Sequence, residues 1–202
     1  MRFPPRALLA LVLVVSIGCD VDRVPEMVAY PAPPPEIPVA NLPASLRQTN
    51  WEHSGNGQGS CVHASSCSHF RWQGKQSLAA AWRREYAGGE TAYSILTKWR
   101  AEQIPFVFTE NGEPSVLEWA SDTRRGAIIW YYPQHCVTFC GFSEMNGIEY
   151  AFILDNNRTG QFLAIEKHAF LRAWRSYGGF AAIAVFTPTG PLPWPAYIPK
   201  GT

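Results

Sequence analysis

The sequence predicts an α+β domain in which helices come first and an antiparallel sheet follows. Up to about residue 124, apolar residues recur at the three- and four-residue spacing of amphipathic helices. Beyond Gly126 the chain changes to short runs rich in aromatic and β-branched residues, such as A-I-I-W-Y-Y and Y-A-F-I-L. Turn signals at Asn146-Gly147 and Asn156-Asn157 divide these runs. Helices and strands that are segregated along the chain are typical of the α+β class.

Each predicted element has a local signal. In the first half, the predicted helices cover residues 61–72, 76–86, 90–103 and 115–124, and a short strand covers residues 104–109. Gly59 and Ser60 open the first of these helices, and Gly88-Gly89 ends the second. In the second half we also expect strands over H-C-V-T-F-C-G-F and F-A-A-I-A-V-F, with one helix over residues 167–176.

The N-terminus predicts an export signal. Arg2 and Arg6 precede an apolar run over residues 7–18, which is shorter than the roughly 20 residues of a membrane helix. The run ends in V-S-I-G-C-D, which is similar to the bacterial lipobox, where the cysteine is lipidated. We expect a secretory or lipoprotein signal over residues 1–19 and a lipid anchor on Cys19. This implies an exported protein of the bacterial cell envelope, periplasmic or on the outer face. Plain secretion and an uncleaved anchor are the alternatives.

Proline-rich segments flank the predicted domain. Residues 20–45 contain P-A-P-P-P-E-I-P, which is typical of a stiff, extended linker. Residues 189–202 form a second proline-rich segment, which we interpret as a tail. The globular domain is therefore predicted over residues 46–188, a length sufficient for one compact core.

Composition and charge limit the expected partners. The chain has 202 residues, 47% of them hydrophobic, and a formal net charge of +1. Its lysines and arginines are scattered, whereas binding to phosphates requires a basic patch. Nucleic acid is therefore not expected as a partner, and no cofactor is predicted.

The cysteines allow more than one interpretation of Cys61. The chain has five of them, at Cys19, Cys61, Cys67, Cys136 and Cys140. Lipidation of Cys19 leaves four, an even number in a compartment that permits disulfides. A disulfide from Cys61 to Cys136 or Cys140 is thus one interpretation. Alternation along H-C-V-T-F-C-G-F places Cys136 and Cys140 on the strand face opposite His135, which predicts them to be small core residues.

A second interpretation makes Cys61 a nucleophile. An activated thiol needs a position that favours thiolate, a base within reach and a group that orients the base. A helix N-terminus favours negative charge, and its free N–H groups can hold an oxyanion. His135, at the mouth of a predicted strand, is the candidate base. Asp155, at the end of the neighbouring strand, is the candidate that orients the imidazole. Asn156 is the alternative, because an amide oxygen also accepts from an imidazole N–H.

A third interpretation is a metal site. The candidate ligands form the pattern C-x-H-x3-C-x-H at Cys61, His63, Cys67 and His69. This spacing matches no common zinc pattern, and one helix cannot bring all four side chains together. The run Asp155-Asn156-Asn157 lacks the alternating acidic ligands and the closing glutamate of a calcium loop. No metal site is therefore predicted.

Together, G-S-C-V-H-A-S, H-C-V-T-F-C-G-F and N-G-I-E-Y-A-F-I-L-D-N-N resemble the papain-like cysteine peptidase superfamily. Its members carry Cys, His and Asn or Asp in this chain order. The chain is most similar to the compact bacterial branch that resembles bacteriocin-processing double-glycine peptidases. In that branch a segment like S-V-L-E-W-A-S-D-T-R-R-G-A-I-I-W-Y-Y-P-Q-H precedes the histidine, and a late helix with F-x-x-x-W, here Phe170 and Trp174, follows the aspartate. The resemblance covers approximately residues 46–187.

The resemblance implies a papain-like fold, with N-terminal helices packed on a C-terminal antiparallel sheet. It also implies that Cys61 attacks the peptide carbonyl, His135 moves the proton and Asp155 holds the imidazole. Family members usually place an oxyanion glutamine about six residues before the cysteine. This chain has Gly55 there, and its nearest glutamine is Gln58, which becomes the candidate for that role.

Two alignments of Q-G-S-C with the papain motif remain open. In one, Cys61 is the nucleophile; in the other, Cys61 matches an upstream disulfide cysteine, Ala64 takes the nucleophile position and the protein is inactive. The first predicts an exported cysteine peptidase-like hydrolase that cleaves peptide or related amide bonds. Peptidoglycan hydrolysis and acyl transfer use the same catalytic order. The second predicts an inactive papain-fold module that binds peptides or a partner at the cell envelope. The expected partners are a peptide or protein substrate and, through Cys19, the membrane.

Overall fold

The computed structural model describes residues 29–30, 42–52, 59–186 and 195–199 of the chain. The predicted signal with Cys19, the residue Gln58 and most of both proline-rich segments lie outside these residues. Within the described part of the chain, none of the helices has the length and apolar character needed to cross a membrane.

Five helices and eight strands make up the described part of the fold. The helices are α1 (Cys61–Trp72), α2 (Gln76–Glu85), α3 (Ala92–Ala101), α4 (Pro114–Asp122) and α5 (Lys167–Ser176). The strands are β1 (Ala29–Tyr30), β2 (Phe106–Thr109), β3 (Ala127–Trp130), β4 (Cys136–Met145), β5 (Ile148–Leu154), β6 (Phe162–Glu166), β7 (Ala181–Ala184) and β8 (Ala196–Tyr197). They form one sheet in the order β1-β6-β5-β4-β3-β7-β2-β8, and every neighbouring pair is antiparallel. The predicted α+β class is confirmed.

Helices cover both faces of this sheet. The buried apolar residues of α1, α2 and α3 form one cluster with inward residues of β2, β3 and β7. Those of α4 and α5 form a second cluster with residues of β3 to β7 on the opposite face. The N-terminal helices therefore pack on the sheet as expected, but α4 and α5 lie on its other side. Because β2 lies between β7 and β8, the sheet also includes a strand from the helical half.

Helix α1 is the centre of the first cluster, because it packs against α2, β3 and β4. Every residue from 62 to 70 is buried. Small side chains such as those of Ala64 and Ser65 allow this close approach, since a helix enclosed on all sides has no solvent face for long polar groups. Its buried hydroxyl groups have partners: Ser66 Oγ donates to the Val62 carbonyl (2.8 Å), and Ser68 Oγ accepts from the Gln48 N–H (2.9 Å).

Strand β4 shows the alternation that the sequence predicts. Val137 and Phe139 belong to the cluster under α4 and α5, whereas Cys136 and Cys140 face the opposite side. Both cysteines are buried, at 0% and 1% exposure, so they are core residues as predicted. A bulge between Phe139 and Gly141 shifts the pairing with β5.

Several element boundaries differ from the prediction. Helices α1 and α5 begin and end where predicted, but β6 was not predicted, and α3 begins at Ala92 instead of residue 90. Thr91 is its N-cap: its side chain accepts from the Ser94 N–H (3.1 Å) in a capping box, which leaves Glu90 in the preceding loop. Strand β1 lies within the predicted linker and β8 within the predicted tail, so both segments contribute to the edges of the sheet.

Candidate active site

Cys61 is the first residue of α1 and is partly exposed. The residue before it, Ser60, does not cap the helix with its side chain; its Oγ instead accepts from the Gly88 N–H (2.8 Å). The Cys61 Sγ accepts hydrogen bonds from the backbone N–H groups of Cys136 (3.4 Å) and Val62. Backbone donors and the positive end of a helix both stabilise a thiolate at this position.

A tight turn between β3 and β4 positions His135. The Tyr131 N–H donates to the His135 carbonyl (3.0 Å), which closes the turn. Within it, Tyr132 and Gln134 have φ of 70° and 56°, in the left-handed region that costs a non-glycine residue roughly 1 kcal/mol. The Tyr132 ring stacks over the imidazole, with centroids 6.3 Å apart. The turn therefore holds His135 in one orientation at the start of β4.

Asp155 lies directly after β5, where the antiparallel pairing with β4 brings it to His135. Its Oδ1 accepts from His135 Nε2 at 2.9 Å and from the Asn157 N–H at 2.9 Å. The other ring nitrogen, Nδ1, is thus left for the hydrogen bond that joins the imidazole to the Cys61 thiol. The structure brings together the three residues that the sequence singled out.

The charges of the three side chains stabilise one another. Burial alone would raise the pKa of the Cys61 thiol, but the His135 imidazole and the Cys136 N–H lower it below its usual value. Burial would lower the pKa of His135, but Asp155 and Cys61 raise it to about 9. Burial would raise the pKa of Asp155, yet hydrogen bonds from His135 and the Asn157 N–H lower it. Near neutral pH the arrangement therefore favours a thiolate, an imidazolium and a carboxylate.

Asn156 does not contact the imidazole, so it is not the orienting residue that the sequence left open. Its Nδ2 lies 3.0 Å from the Cys61 carbonyl, 2.7 Å from the Cys136 carbonyl and 2.9 Å from Ser65 Oγ. Two of these acceptors are carbonyls, which only an N–H can satisfy, so the amide orientation is determined. Asn156 is 1% exposed and fastens the start of α1 to the start of β4.

Asn50 was missed by the sequence analysis. It lies eleven positions before Cys61 in the chain, yet it lines the same cavity as Cys61 and His135. Its Nδ2 donates to Asn157 Oδ1 (2.9 Å), and its backbone N–H donates to the Asn156 carbonyl (2.9 Å). A Cβ added to Gly59 would lie 2.7 Å from this Nδ2, so glycine is needed for the approach. Among the described residues, this amide makes no other side-chain hydrogen bond, and its Oδ1 is buried without a partner. Gln58 lies outside the described residues.

The cavity at the thiol has a volume of about 880 Å³. The loop before α3, with Gly89, Glu90 and Thr91, forms one wall. The turn before His135 and the end of α5, with Tyr132 and Tyr177, also line the cavity. Ala64 does not line this cavity and is 0% exposed, so it could not act as a nucleophile position.

The competing interpretations of Cys61 find no support in the geometry. Cys61, Cys67, Cys136 and Cys140 are all free. Of the candidate metal ligands, Cys67 Sγ lies 3.4 Å from the Ala79 carbonyl, and His69 Nε2 accepts from the Ala184 N–H (2.9 Å). No three His, Cys, Asp or Glu side chains in the described ranges converge as a metal ion would require.

Comparisons with protein-family models, with curated proteins and with solved structures found no match to this chain. The assignment of a function therefore depends on the geometry of the site.

Proposed function

We propose that this protein is an exported cysteine hydrolase of papain-like fold that cleaves peptide or related amide bonds, with Cys61, His135 and Asp155 as its catalytic residues. The observation that carries this proposal is the hydrogen-bonded chain from the Asp155 carboxylate through the imidazole, 2.9 Å away, to a thiol at a helix N-terminus. This is the arrangement of nucleophile, base and orienting group that thiol-based acyl transfer needs.

The reaction begins when the Cys61 thiolate attacks the carbonyl carbon of the scissile amide. The C–S bond forms, the carbonyl π electrons move to oxygen, and a tetrahedral oxyanion results. The His135 imidazolium then donates its Nδ1 proton to the amide nitrogen, the C–N bond breaks, and the amine leaves. Next, His135 takes a proton from a water molecule that attacks the thioester carbonyl; the C–S bond then breaks, the carboxylic acid leaves and the Cys61 thiolate beside the His135 imidazolium is regenerated. Asp155 holds the ring and stabilises its positive charge throughout.

The oxyanion requires N–H donors beside the thiol. The Cys61 backbone N–H lies at the N-terminus of α1, where the first N–H groups of a helix have no partner within the helix. The second donor that we assign is the Nδ2–H of Asn50, because this side chain reaches the cavity and its orientation is fixed by Asn157. Removal of one such donor typically lowers kcat about 10²–10³-fold.

The N-terminal sequence supports export, and the V-S-I-G-C-D run supports a lipid anchor on Cys19 in the cell envelope. The same three catalytic side chains would also serve a peptidoglycan hydrolase or an acyl transferase, since these reactions share the thioester intermediate. A peptide substrate is the proposal because the resemblance carried by G-S-C-V-H-A-S and H-C-V-T-F-C-G-F is to peptidases.

Alkylation by iodoacetamide at pH 6 tests the nucleophile. The full chain is treated with the reagent, and modification of the peptide that contains Cys61 is followed by mass spectrometry. We expect Cys61 to react at least about tenfold faster in the wild-type protein than in His135→Ala, because the imidazolium stabilises the thiolate. Cys67, which is buried and whose pKa burial raises to about 12, is the internal control and stays unmodified. Equal rates at Cys61 in both proteins would contradict the proposal.

Hydrolysis of a peptide library tests the reaction itself. We expect the wild-type protein to release new N-termini and Cys61→Ala to release none. If Cys61 is alkylated rapidly but no peptide, peptidoglycan or acyl-transfer product forms, the hydrolase proposal is wrong and a binding module remains.

A further inference from the structure

We propose that the cleft recognises a cationic group of its substrate, an amine or a guanidinium, through the carboxylate of Glu90. This inference rests on the proposed function, because it concerns what binds beside the nucleophile Cys61. It adds a substrate class that the catalytic residues do not indicate.

The charge of the cavity wall is the first argument. Among the described residues that line the cavity there is no lysine and no arginine, and Glu90 is the one carboxylate. Lys98 and Ser94 offset the effect of burial and lower the pKa of Glu90, so it is ionised at neutral pH. An anionic substrate group would therefore find no opposite charge on this wall, whereas a cationic one would.

The second argument is that Glu90 is held firmly relative to the nucleophile. Its side chain is 8% exposed. The loop that carries it is attached to α1 by the Gly88 N–H, which donates to Ser60 Oγ (2.8 Å), and Ser60 immediately precedes Cys61. On the other side of Glu90, the capping box of Thr91 fixes the start of α3. A group with so little freedom can recognise a ligand at low entropic cost.

The third argument concerns the groups that hold the carboxylate from behind. Glu90 Oε1 lies 3.0 Å from Lys98 Nζ and 3.3 Å from His63 Nε2. Trp82 Nε1–H, which can only donate, points at His63 Nδ1 (3.1 Å), so the neutral His63 carries its proton on Nε2, the ring nitrogen 3.3 Å from Glu90 Oε1. Neither Lys98 nor His63 lines the cavity, whereas Glu90 does. The carboxylate is thus held in place by groups that lie outside the cavity.

Three aromatic residues, Trp130, Tyr132 and Tyr177, line the same cavity as Glu90. Aromatic faces carry partial negative charge and attract ammonium and guanidinium groups. These side chains therefore favour the same sign of charge in the substrate as the Glu90 carboxylate does.

The charge preference can be measured at the Cys61 thiol without knowing the natural substrate. The full chain is treated with three methanethiosulfonates: a methyl ester (neutral), a trimethylammonium-ethyl ester (cationic) and a sulfonatoethyl ester (anionic). In each case the Cys61 thiolate attacks the divalent sulfur of the reagent and a mixed disulfide forms. The bond from that sulfur to the sulfonyl group breaks, and methanesulfinate leaves. The rate at Cys61 is followed by mass spectrometry of its peptide.

We expect the ratio of the reaction rate with the cationic reagent to that with the neutral reagent to fall about fivefold in Glu90→Gln. The reason is that removal of one nearby charge in a partly hydrated cleft weakens the attraction of the cationic reagent by about this factor. Lys98→Met, which leaves the Glu90 carboxylate without its cationic partner, should raise the same ratio. This opposite effect keeps the test valid if Glu90→Gln folds poorly. The matched control is Glu85→Gln, an exposed carboxylate at the end of α2, which should leave the ratio unchanged.

Three outcomes separate this inference from the proposed function. Equal ratios in the wild-type protein, Glu90→Gln and Lys98→Met overturn the role of Glu90 while Cys61 remains a reactive nucleophile. In that case the Glu90–Lys98 pair only stabilises the fold. A Cys61 that reacts with none of the reagents overturns the proposed function and this inference with it. Opposite shifts in the two variants support the inference.

The source of the cation is then distinguished with peptides. The first pair tests a side-chain cation: two N-acetylated peptides carry either lysine or norleucine near the scissile bond. The second pair tests the terminal ammonium: the same peptide has either a free or an acetylated N-terminus. We expect one pair to differ at least about fivefold in kcat/KM with the wild-type protein and to become equal with Glu90→Gln. No difference in either pair would contradict the inference.

Discussion

In the described part of the chain, two histidine–carboxylate pairs lie near the start of α1, and their histidines differ in protonation at neutral pH. His135 Nε2 lies 2.9 Å from Asp155, and His63 Nε2 lies 3.3 Å from Glu90. Both histidines lose solvation by burial. Even so, the pKa of His135 is raised to about 9, whereas that of His63 is lowered to about 4.

The difference comes from what else contacts each pair. The His63 side chain is 0% exposed, and the Lys98 ammonium shares the Glu90 carboxylate. Burial and Lys98 together therefore keep His63 neutral. At His135, the Cys61 thiol adds a second negative group to that of Asp155, and the imidazolium is favoured. In the proposed function, one pair serves the chemistry and the other belongs to a wall of the cleft.

The largest expected effect follows from removal of the negative charge behind His135. Asp155→Asn keeps the size of the side chain but no longer stabilises the imidazolium. We expect hydrolysis to fall about 10²–10⁴-fold and the thiol pKa to rise towards its ordinary value. The measurement is the release of N-termini from the peptide library, with the alkylation rate of Cys61 as a second readout.

The control for Asp155→Asn is Arg158→Gln, because Arg158 follows in the same turn, is exposed and donates its backbone N–H to the Asp155 carbonyl (2.9 Å). Its backbone N–H still donates to residue 155 after the substitution. We expect less than a tenfold change in this control. A similar loss in both variants would mean that the turn, and not the carboxylate, supports catalysis.

The next effect concerns Asn156, which fastens the Cys61 end of α1 to β4. Asn156→Ala removes the donor that joins the Cys61 and Cys136 carbonyls and leaves Ser65 Oγ (3.4 Å) as a weaker donor to Cys136, which should lower the free energy of unfolding by about 1–3 kcal/mol. We expect the substitution to affect the two pairs differently. The Cys61–His135 contact should loosen, whereas the His63–Glu90 pair should stay as it is. Urea unfolding gives the stability, and NMR titration of both histidines in the folded variant gives the pKa values. A fall in the His135 pKa with His63 unchanged supports this role, and unchanged values for both contradict it.

Stability as a function of pH should separate the two histidines with opposite signs. His63 has a folded-state pKa of about 4, below the unfolded value near 6.5, so its contribution is present above pH 6.5 and is lost as the pH falls towards 4. His135 has a folded-state pKa of about 9, so its contribution is present below pH 6.5 and is lost as the pH rises towards 9.

Urea unfolding at several pH values measures these contributions. In His63→Gln, the loss of unfolding free energy between pH 7.5 and 4.5 should be smaller than in the wild-type protein by about 2 kcal/mol. In His135→Gln, the loss of unfolding free energy between pH 7 and 9.5 should be smaller than in the wild-type protein. If both variants changed the same side of the pH profile, the charge states assigned to the two pairs would be wrong.

The three residues that we propose as catalytic were predictable from the sequence because their signals are local. Gly59-Ser60 marks the start of α1, and β4 and β5 are adjacent in sequence and joined by a short turn. Antiparallel pairing of two such strands must bring the end of β5 to the start of β4. Asp155 therefore reaches His135 for reasons that the local sequence contains.

The other residues of the cleft depend on contacts between distant segments. Asn50 reaches the cavity through hydrogen bonds to residues 156 and 157, more than one hundred positions away. Glu90 was assigned to a helix because the capping box of Thr91 was not recognised.

Strand β6 has no turn between it and α5, so its apolar run is not separated from the helix that follows. Pairing of β2 with β7 and β8 likewise leaves no local pattern in the sequence.

The ionisation of Cys61 tests the central claim most directly. Thiolate absorbance at 240 nm is recorded from pH 4 to 10 for the wild-type protein and for Cys61→Ser, and the difference isolates this one thiol. The account predicts a thiolate signal at neutral pH with a midpoint below that of a free cysteine, about 8.5. It also predicts that the midpoint moves up in His135→Ala. A midpoint at or above that of a free cysteine, unchanged in His135→Ala, would contradict it.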